Sequence, residues 1–149
     1  MGMFTAFNIS ASGLTAQRYR MDIISENVAN ANTTRTDDGT PYRRKVVTFQ
    51  EKGGHTTFST VLGHASARYT GEGVKVNRVY EDHKTEMNMV YDPSHPDADE
   101  NGYVTYPNVN MITEMTNLID ASRAYEANST AFNASKSMAL QGLQLNGQA

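Results

Sequence analysis

Apolar side chains recur every seven residues near both ends of this 149-residue chain. In the first part the repeat joins Phe7, Leu14, Met21 and Val28, and Ile24 falls on the same seam. A seven-residue apolar repeat is typical of helices that pack side by side. The pattern predicts a helix from about residue 4 to about residue 31. Its end is expected in the turn-forming sequence of residues 30–34, where asparagines tolerate the left-handed conformation that ends helices.

The repeat returns in the last part of the chain. Its positions are Met111, Leu118, Tyr125 and Phe132, and the same stripe includes Met115, Ser122 and Leu143. No proline or glycine occurs between Asn108 and Gly142, so one helix of roughly 30 to 36 residues is predicted. Asn108 or Asn110 is expected to cap its start.

The segment between these ends has a different composition. It contains all four prolines and most of the charges, and residues 42–51, 56–63 and 74–81 are rich in β-formers. Residues 52–55 predict a hairpin turn between the first two of these runs. We therefore predict an α+β fold in which an antiparallel, coiled-coil-like pair of long terminal helices (1–34 and 108–149) carries a small inserted β-rich domain (35–107).

Composition argues against several classes of function. The net charge of −3 does not favour nucleic acid, and the chain has no cysteine for thiolate catalysis or thiolate-bound zinc. Residues 1–11 lack the features of a cleaved signal, and no apolar run is long enough for direct membrane insertion. No nucleotide-binding or catalytic motif is present, so we expect neither an enzyme nor a cofactor.

One stretch resembles a calcium-binding loop. Residues 97–108 place Asp97, Asp99 and Asn101 at alternating positions before Gly102. Prolines occupy the place of the entering helix, and Asn108 replaces the closing glutamate of such a loop. A turn is therefore the preferred interpretation, with residues 103–106 as a short extended lead-in to the second helix. A calcium- or carbohydrate-binding β-module on a helical stalk remains an alternative. The basic run at residues 43–45 is interpreted as a solvated or edge-protecting face.

The surfaces of the two helices favour assembly. Outside the seams they are rich in small neutral polar side chains and carry few of the oppositely charged pairs that support an exposed helix. Part of the seam (Phe7, Leu14, Leu118 and Phe132) is expected to pack within the chain. The remaining helix surface is predicted to be covered by other subunits.

Two long stretches resemble a known family. Residues 12–34 (SGLTAQRYRMDIISENVANANTT) are similar to the N-terminal signature of bacterial flagellar axial proteins, the rod and hook family, and residues 110–145 are similar to their C-terminal helix. Residues 91–110 (YDPSHPDADENGYVTYPNVN) resemble the segment that precedes this helix in proximal rod proteins. Other rod or hook proteins of the family remain an alternative, and a rod-associated wall hydrolase has no supporting residue.

The resemblance implies a structural subunit of the basal-body rod, a hollow helical shaft that transmits torque and passes exported proteins. Its implied partners are copies of itself, other proximal and distal rod proteins, and the membrane ring and export gate at the base of the rod. It also implies export without a cleaved signal and a periplasmic position where an outer membrane exists. Seam pattern and resemblance together predict an assembly interface of Phe7, Leu14, Met21, Ile24, Asn27, Val28, Asn30, Asn32, Met111, Met115, Leu118, Ser122, Arg123, Tyr125, Asn128, Phe132 and Leu143.

Overall fold

The structure, a computed structural model, describes residues 3–52 and 72–146. Helix α1 spans Met3–Ala29 and helix α2 spans Met111–Asn146. Between them lie four strands: β1 (Lys45–Glu51), β2 (Val74–Glu81), β3 (Asn88–Tyr91) and β4 (Tyr103–Tyr106). The predicted α+β class is confirmed, and both helices begin and end within a few residues of their predicted limits.

Contacts divide the chain into two compact units. The first combines the described parts of Met1–Tyr19, Thr48–Asn77 and Ser122–Ala149, and the second combines Arg20–Val47 with Arg78–Ala121. Each unit therefore contains a piece of both helices and a piece of the middle segment. The predicted domains, residues 1–34 with 108–149 and residues 35–107, are defined by sequence composition and not by contacts. This division stays a prediction.

The two helices run antiparallel in each unit. In the first unit the rings of Phe7 and Phe132 meet edge to face, with centroids 5.1 Å apart. Further along α1, a Cβ added at Gly13 would lie 2.7 Å from the side-chain oxygen of Asn128. In the second unit, Arg20 Nη2 lies 3.4 Å from Asn117 Oδ1. Residues further along α1 thus lie beside residues nearer the start of α2.

Asparagines define the facing ends of the helices. At the end of α1 the carbonyl oxygen of Glu26 accepts the Asn30 backbone N–H at 3.1 Å and also the Asn30 side-chain amide at 2.9 Å. Neither Asn30 nor Asn32 has the left-handed conformation expected from the sequence. At the start of α2 the side-chain oxygen of Asn110 accepts the Thr113 N–H at 3.1 Å, so Asn110 is the predicted cap.

Strands β1 and β2 form a two-stranded sheet. The Lys52 N–H donates to the Gly73 carbonyl at one end, and the Asp82 N–H donates to the Arg44 carbonyl at the other, so the strands are antiparallel. Strand β2 has the predicted bounds, and β1 begins three residues later than predicted. The predicted strand 56–63 and its hairpin turn lie outside the described residues.

Strands β3 and β4 form a second antiparallel ribbon, in which Val90 lies opposite Val104 and Tyr91 opposite Tyr103. Strand β3 was not predicted, and residues 103–106 were expected only as an extended lead-in to α2. Val104 is fully buried, so one face of the ribbon lies in the interior of the second unit. Gly102, just before β4, has φ +80°, and a Cβ there would lie 2.9 Å from the Tyr91 ring, so only glycine fits this turn without strain.

Candidate functional site

An exposed row of apolar side chains runs along α2 in the second unit. Ile112, Met115 and Ile119 are 78%, 56% and 54% exposed. Their spacing of three and four residues places all three side chains on one face of the helix. The buried residues of the same stretch, Glu114 and Ala121, point the other way. We call Ile112, Met115 and Ile119 the apolar row.

The first unit also exposes large apolar side chains on the helices. They are Phe4 near the start of α1, and Met138, Leu140 and Leu143 near the end of α2. Single exposed apolar residues are ordinary on soluble proteins, but repeated ones on one helix are typical of protein interfaces. The surface of α2 is thus apolar at several positions that the described part of the chain leaves exposed.

The residues of the predicted interface fall into three groups in the structure. The exposed ones are Asn32, Met111, Met115, Arg123 and Leu143. The half-buried ones are Phe7, Leu14, Met21, Val28, Asn30, Leu118, Ser122, Tyr125, Asn128 and Phe132. Ile24 and Asn27 are buried inside the chain.

Sequence reasoning missed Ile112 and Ile119. The seven-residue repeat selects Met111, Leu118 and Tyr125, whose stripe faces partly toward α1. A second apolar stripe, at residues 112, 115 and 119, is visible in the sequence beside the first. The predicted seam includes Met115 but not Ile112 or Ile119, which therefore belong to the remaining helix surface that is predicted to be covered by other subunits.

A buried polar cluster lies behind the apolar row in the second unit. Glu114 is 1% exposed, and its Oε1 accepts bonds from Arg44 Nε at 2.8 Å and Nη2 at 2.7 Å. Its other oxygen accepts the Asn27 amide at 3.1 Å. A carboxylate removed from water in this way is stable only because a cation and a hydrogen-bond donor surround it. Arg44 is therefore not part of a solvated basic face, which was the expectation for residues 43–45, and Lys45 pairs with Glu26.

Asn27 is the centre of this cluster and is also 1% exposed. Its amide nitrogen donates to the Lys45 carbonyl at 2.9 Å as well as to Glu114. Its oxygen accepts the Lys45 N–H at 2.8 Å and the Tyr42 hydroxyl at 2.9 Å. Both donors and both acceptor positions of the amide are thus used within the chain. Asn27 joins α1 to β1 and α2 within the chain, and its contact with neighbouring subunits stays a prediction.

Asn108 extends the cluster toward β2. Its oxygen accepts the Arg44 N–H at 2.9 Å, and its nitrogen donates to the carbonyls of Asp82 and Thr85 at 2.8 and 3.2 Å. Asn108 therefore organises the backbone around it, while Asn110 caps the helix. We call Asn27, Tyr42, Arg44, Asn108 and Glu114 the buried joint, because together they fix the end of α1, the start of α2 and the start of β1 within one unit.

Burial raises the pKa of Tyr42 from 10.0 to about 12, and the negative charges of Glu26, Glu114 and Glu81 add to the effect. Between pH 10 and 12 the folded chain keeps the phenolic proton, whereas the unfolded chain has lost it. Stability therefore falls as the pH rises through this range, by about 3 kcal/mol for a shift of two pKa units.

Substitution of Tyr42 by phenylalanine tests this linkage. At neutral pH, Tyr42→Phe is expected to cost about 1 kcal/mol, because the hydrogen bond to Asn27 is lost. Between pH 10 and 12 the variant should lose about 3 kcal/mol less than the parent protein. Urea unfolding at each pH measures both effects, with the exposed Tyr80→Phe as the control. Equal pH dependence of Tyr42→Phe and the parent would contradict the assignment.

The calcium-like stretch is a turn held by its own side chains. Asp99 Oδ1 accepts the N–H groups of Asn101 and Tyr103 at 2.9 and 2.8 Å. Asp97 accepts the Thr34 hydroxyl at 2.8 Å and lies 3.7 Å from Arg35. These carboxylates act as turn and loop partners, as in an Asx-turn. Within residues 3–52 and 72–146, no group of three or more histidine, aspartate or glutamate side chains is placed to hold a metal ion.

The described helices include none that is long and apolar enough to cross a bilayer. In the second unit, Ile112, Met115 and Ile119 instead form an exposed row on one side of a polar helix. Such a row suits contact with another protein surface.

Comparison with known families identifies two matching segments. Residues 7–35 match the family model described as flagella basal body rod protein, and residues 100–145 match the C-terminal model of the flagellar basal body rod FlgEFG proteins. The two segments contain most of α1 and nearly all of α2. Strand β3 lies outside both.

Curated relatives match along nearly the whole chain. The flagellar basal-body rod protein FlgC of Bacillus subtilis is 46% identical over 97% of this chain and 99% of its own length. The protein of the same name from Borreliella burgdorferi is 46% identical over 93% of each chain. That of Salmonella typhimurium is 41% identical over 97% of this chain and 98% of its own length.

Proposed function

Since the chain belongs to the FlgC family of flagellar basal-body rod proteins, we propose that it is a structural, non-enzymatic subunit of the proximal rod. In this role it assembles through its terminal helices into the hollow shaft that transmits torque and passes exported proteins. The stretches that carry the resemblance, residues 12–34 and 110–145, lie inside the two segments that match the family models.

The apolar row is the observation that carries the assembly proposal. Covering one large aliphatic side chain contributes roughly 1.5–3 kcal/mol, so three of them together contribute several kcal/mol to an interface. These residues lie on a helix within the segment that matches the rod family model. Residues 3–52 and 72–146 leave these side chains exposed, and a neighbouring rod subunit would cover them.

The buried joint complements this surface. An interface on α2 binds tightly only if the helix is held in a fixed position. A mobile helix would lose conformational entropy on binding, and this loss would lower the affinity. The bonds from Glu114 to Arg44 and Asn27 lie on the inner side of the stretch that carries the apolar row. We propose that the joint keeps α2 ready for assembly.

The proposed partners are copies of this chain, other proximal and distal rod proteins, and the membrane ring and export gate at the base of the rod. The proposed position is the basal body, in the periplasm where an outer membrane exists, after export without a cleaved signal. No nucleic acid partner is proposed.

Genetic deletion followed by fractionation tests this function. Cells without the gene should not swim, and cells that regain the wild-type chain should swim and contain it in purified basal bodies. The control is a chain that lacks residues 111–146, which should be expressed but absent from basal bodies. Recovery of swimming without the chain in the basal-body fraction would contradict the proposal.

A further inference from the structure

The β3–β4 ribbon has one closed edge and one open edge. The Asp92 N–H donates to the carbonyl of Gly102 directly opposite, at 2.9 Å. Hydrogen-bonded pairs alternate with non-hydrogen-bonded pairs in an antiparallel ladder. With the observed register, Met89 and Tyr91 belong to non-hydrogen-bonded pairs with Thr105 and Tyr103. The backbone N–H and C=O groups of Met89 and Tyr91 therefore point away from β4.

The outer edge of β4 is closed by a loop residue. The Tyr103 N–H donates to Asp99 Oδ1 at 2.8 Å, and the Tyr103 carbonyl accepts the Asp99 N–H at 2.9 Å. Among the described residues, no comparable bond is made by the outward groups of Met89 and Tyr91. Two donors and two acceptors thus form a row along the outer edge of β3.

Side chains reinforce the open edge. Met89 and Tyr91 are 61% and 63% exposed, and they lie on the same face of the ribbon as Tyr103, whose ring is 5.3 Å from that of Tyr91. Exposed edge strands are usually protected by a charged side chain, a proline or a bulge. The sequence of β3, Asn-Met-Val-Tyr, contains no charge and no proline. This edge has the features of a strand that gains a neighbour.

The charge around the ribbon indicates the chemistry of that neighbour. Residues 81–100 contain seven aspartates and glutamates but only one lysine, a net charge of −6, whereas the whole chain has −3. Glu86 precedes β3 and Asp92 follows it directly. Glu86 and Glu100 are exposed, and neither makes an ion pair within the described part of the chain. A segment that lies along β3 would meet carboxylates near both of its ends.

We propose that the outer edge of β3 binds an extended, lysine- or arginine-bearing segment of another protein by strand addition. The backbone of the incoming segment bonds to the free groups of Met89 and Tyr91, and its apolar side chains lie on the Met89–Tyr91–Tyr103 face. Its cations lie near Glu86, Asp92 and Glu100. A second copy of β3 is a poor occupant, because it would bring two acidic segments together.

This binding surface is separate from the assembly surface proposed for α2. It uses neither the apolar row nor the buried joint, and β3 lies outside both segments that match the rod family models. If strand addition at β3 fails, the proposed rod function is unaffected. If the rod function fails, strand addition at β3 can still be tested.

Amide NMR of the labelled full chain tests the proposal with defined peptides. The probe is a capped eight-residue peptide that alternates valine with lysine, and its counterpart carries glutamate in place of lysine. The lysine peptide should move the amide signals of Met89 and Tyr91 in a saturable way, and the glutamate peptide should not bind. Raising the salt concentration should weaken binding of the lysine peptide.

Three variants separate the backbone and charge contributions. Met89→Pro removes an outward N–H without touching the bonds to β4, and it should weaken binding about tenfold or more. Met89→Thr keeps the N–H and should stay within about threefold of the parent, since the backbone bonds remain. Glu86→Lys combined with Glu100→Lys should weaken binding about fivefold. Slow hydrogen exchange of the Val90 and Val104 amides, which bond across the ribbon, shows that the ribbon remains folded in each variant.

Several results would overturn strand addition by a basic segment. In the first, Met89→Pro binds the lysine peptide as tightly as the parent chain does. In the second, the lysine and glutamate peptides bind the parent chain equally. In the third, the lysine peptide causes no saturable change in the Met89 and Tyr91 signals. Concentration-dependent changes of these signals without peptide would assign the edge to a second copy and would also contradict the proposal.

Discussion

Replacing Ile119 with aspartate is expected to abolish incorporation of the chain into the rod while leaving the subunit folded. Ile119 is more than half exposed, so a charge at this position stays in water as long as the subunit is free. In an interface the same carboxylate would be buried without a partner, and the apolar contact would be lost as well. Together these effects cost at least about 3 kcal/mol, or more than a hundredfold in affinity.

Thr113→Asp is the matched control for this substitution. It introduces the same charge on the same exposed helix, but about 130° around the axis from the centre of the apolar row. An acidic residue in the first turn of a helix is favourable in the subunit. The amount of each variant in purified basal bodies, at equal expression and with equal circular dichroism, measures the effect. Incorporation of Ile119→Asp at the level of Thr113→Asp would contradict the role of the row.

Removal of the Glu114 carboxylate should cause a large loss of stability. Glu114→Ala leaves the Arg44 guanidinium without its main partner and leaves one Asn27 donor unsatisfied in a buried place. Breaking a buried ion pair on one side costs about 3–5 kcal/mol. Glu126→Ala removes an exposed carboxylate from the same helix and should change stability by less than about 0.5 kcal/mol. Urea unfolding of the purified chain measures both.

A double substitution shows whether the cost arises from the pair. Arg44→Ala should be nearly as damaging as Glu114→Ala, because it leaves the buried carboxylate without its cation and bonded by the Asn27 amide. The double variant should lose less than the sum of the two single losses, with a coupling of about 1.5 kcal/mol or more. Additive losses, or a cost below about 1 kcal/mol for Glu114→Ala, would show that the buried joint does not fix α2.

The long helices and β2 could be predicted because their signals are repeated along many residues. A seven-residue apolar period over α1 and α2 leaves few alternatives, and the asparagine before α2 marks its start. The turn around Asp99 was also predictable, since aspartate followed by asparagine and glycine favours local hydrogen bonds. Each of these features depends on residues that are close together in the sequence, so the local pattern is enough to predict it.

The buried joint could not be predicted for the opposite reason. Glu114 and Arg44 are 70 residues apart in sequence, and charged side chains are usually exposed. Only the fold brings Arg44, which directly precedes β1, to Glu114 in α2 and removes the carboxylate from water. Strand β3 escaped prediction because four residues are too few to establish an alternating pattern. Its identity as a strand depends on pairing with β4.

The most direct test of the central claim is a labelling measurement at position 115. The chain has no cysteine, so Met115→Cys places a single thiol in the apolar row. Lys84→Cys provides an exposed control position in the predicted outer domain. Labelling by a water-soluble maleimide should be at least about tenfold slower at position 115 in purified basal bodies than in the free chain, because an interface core excludes water. Position 84 should label at the same rate in both. Equal labelling of position 115 in the free and the assembled chain would contradict assembly through α2.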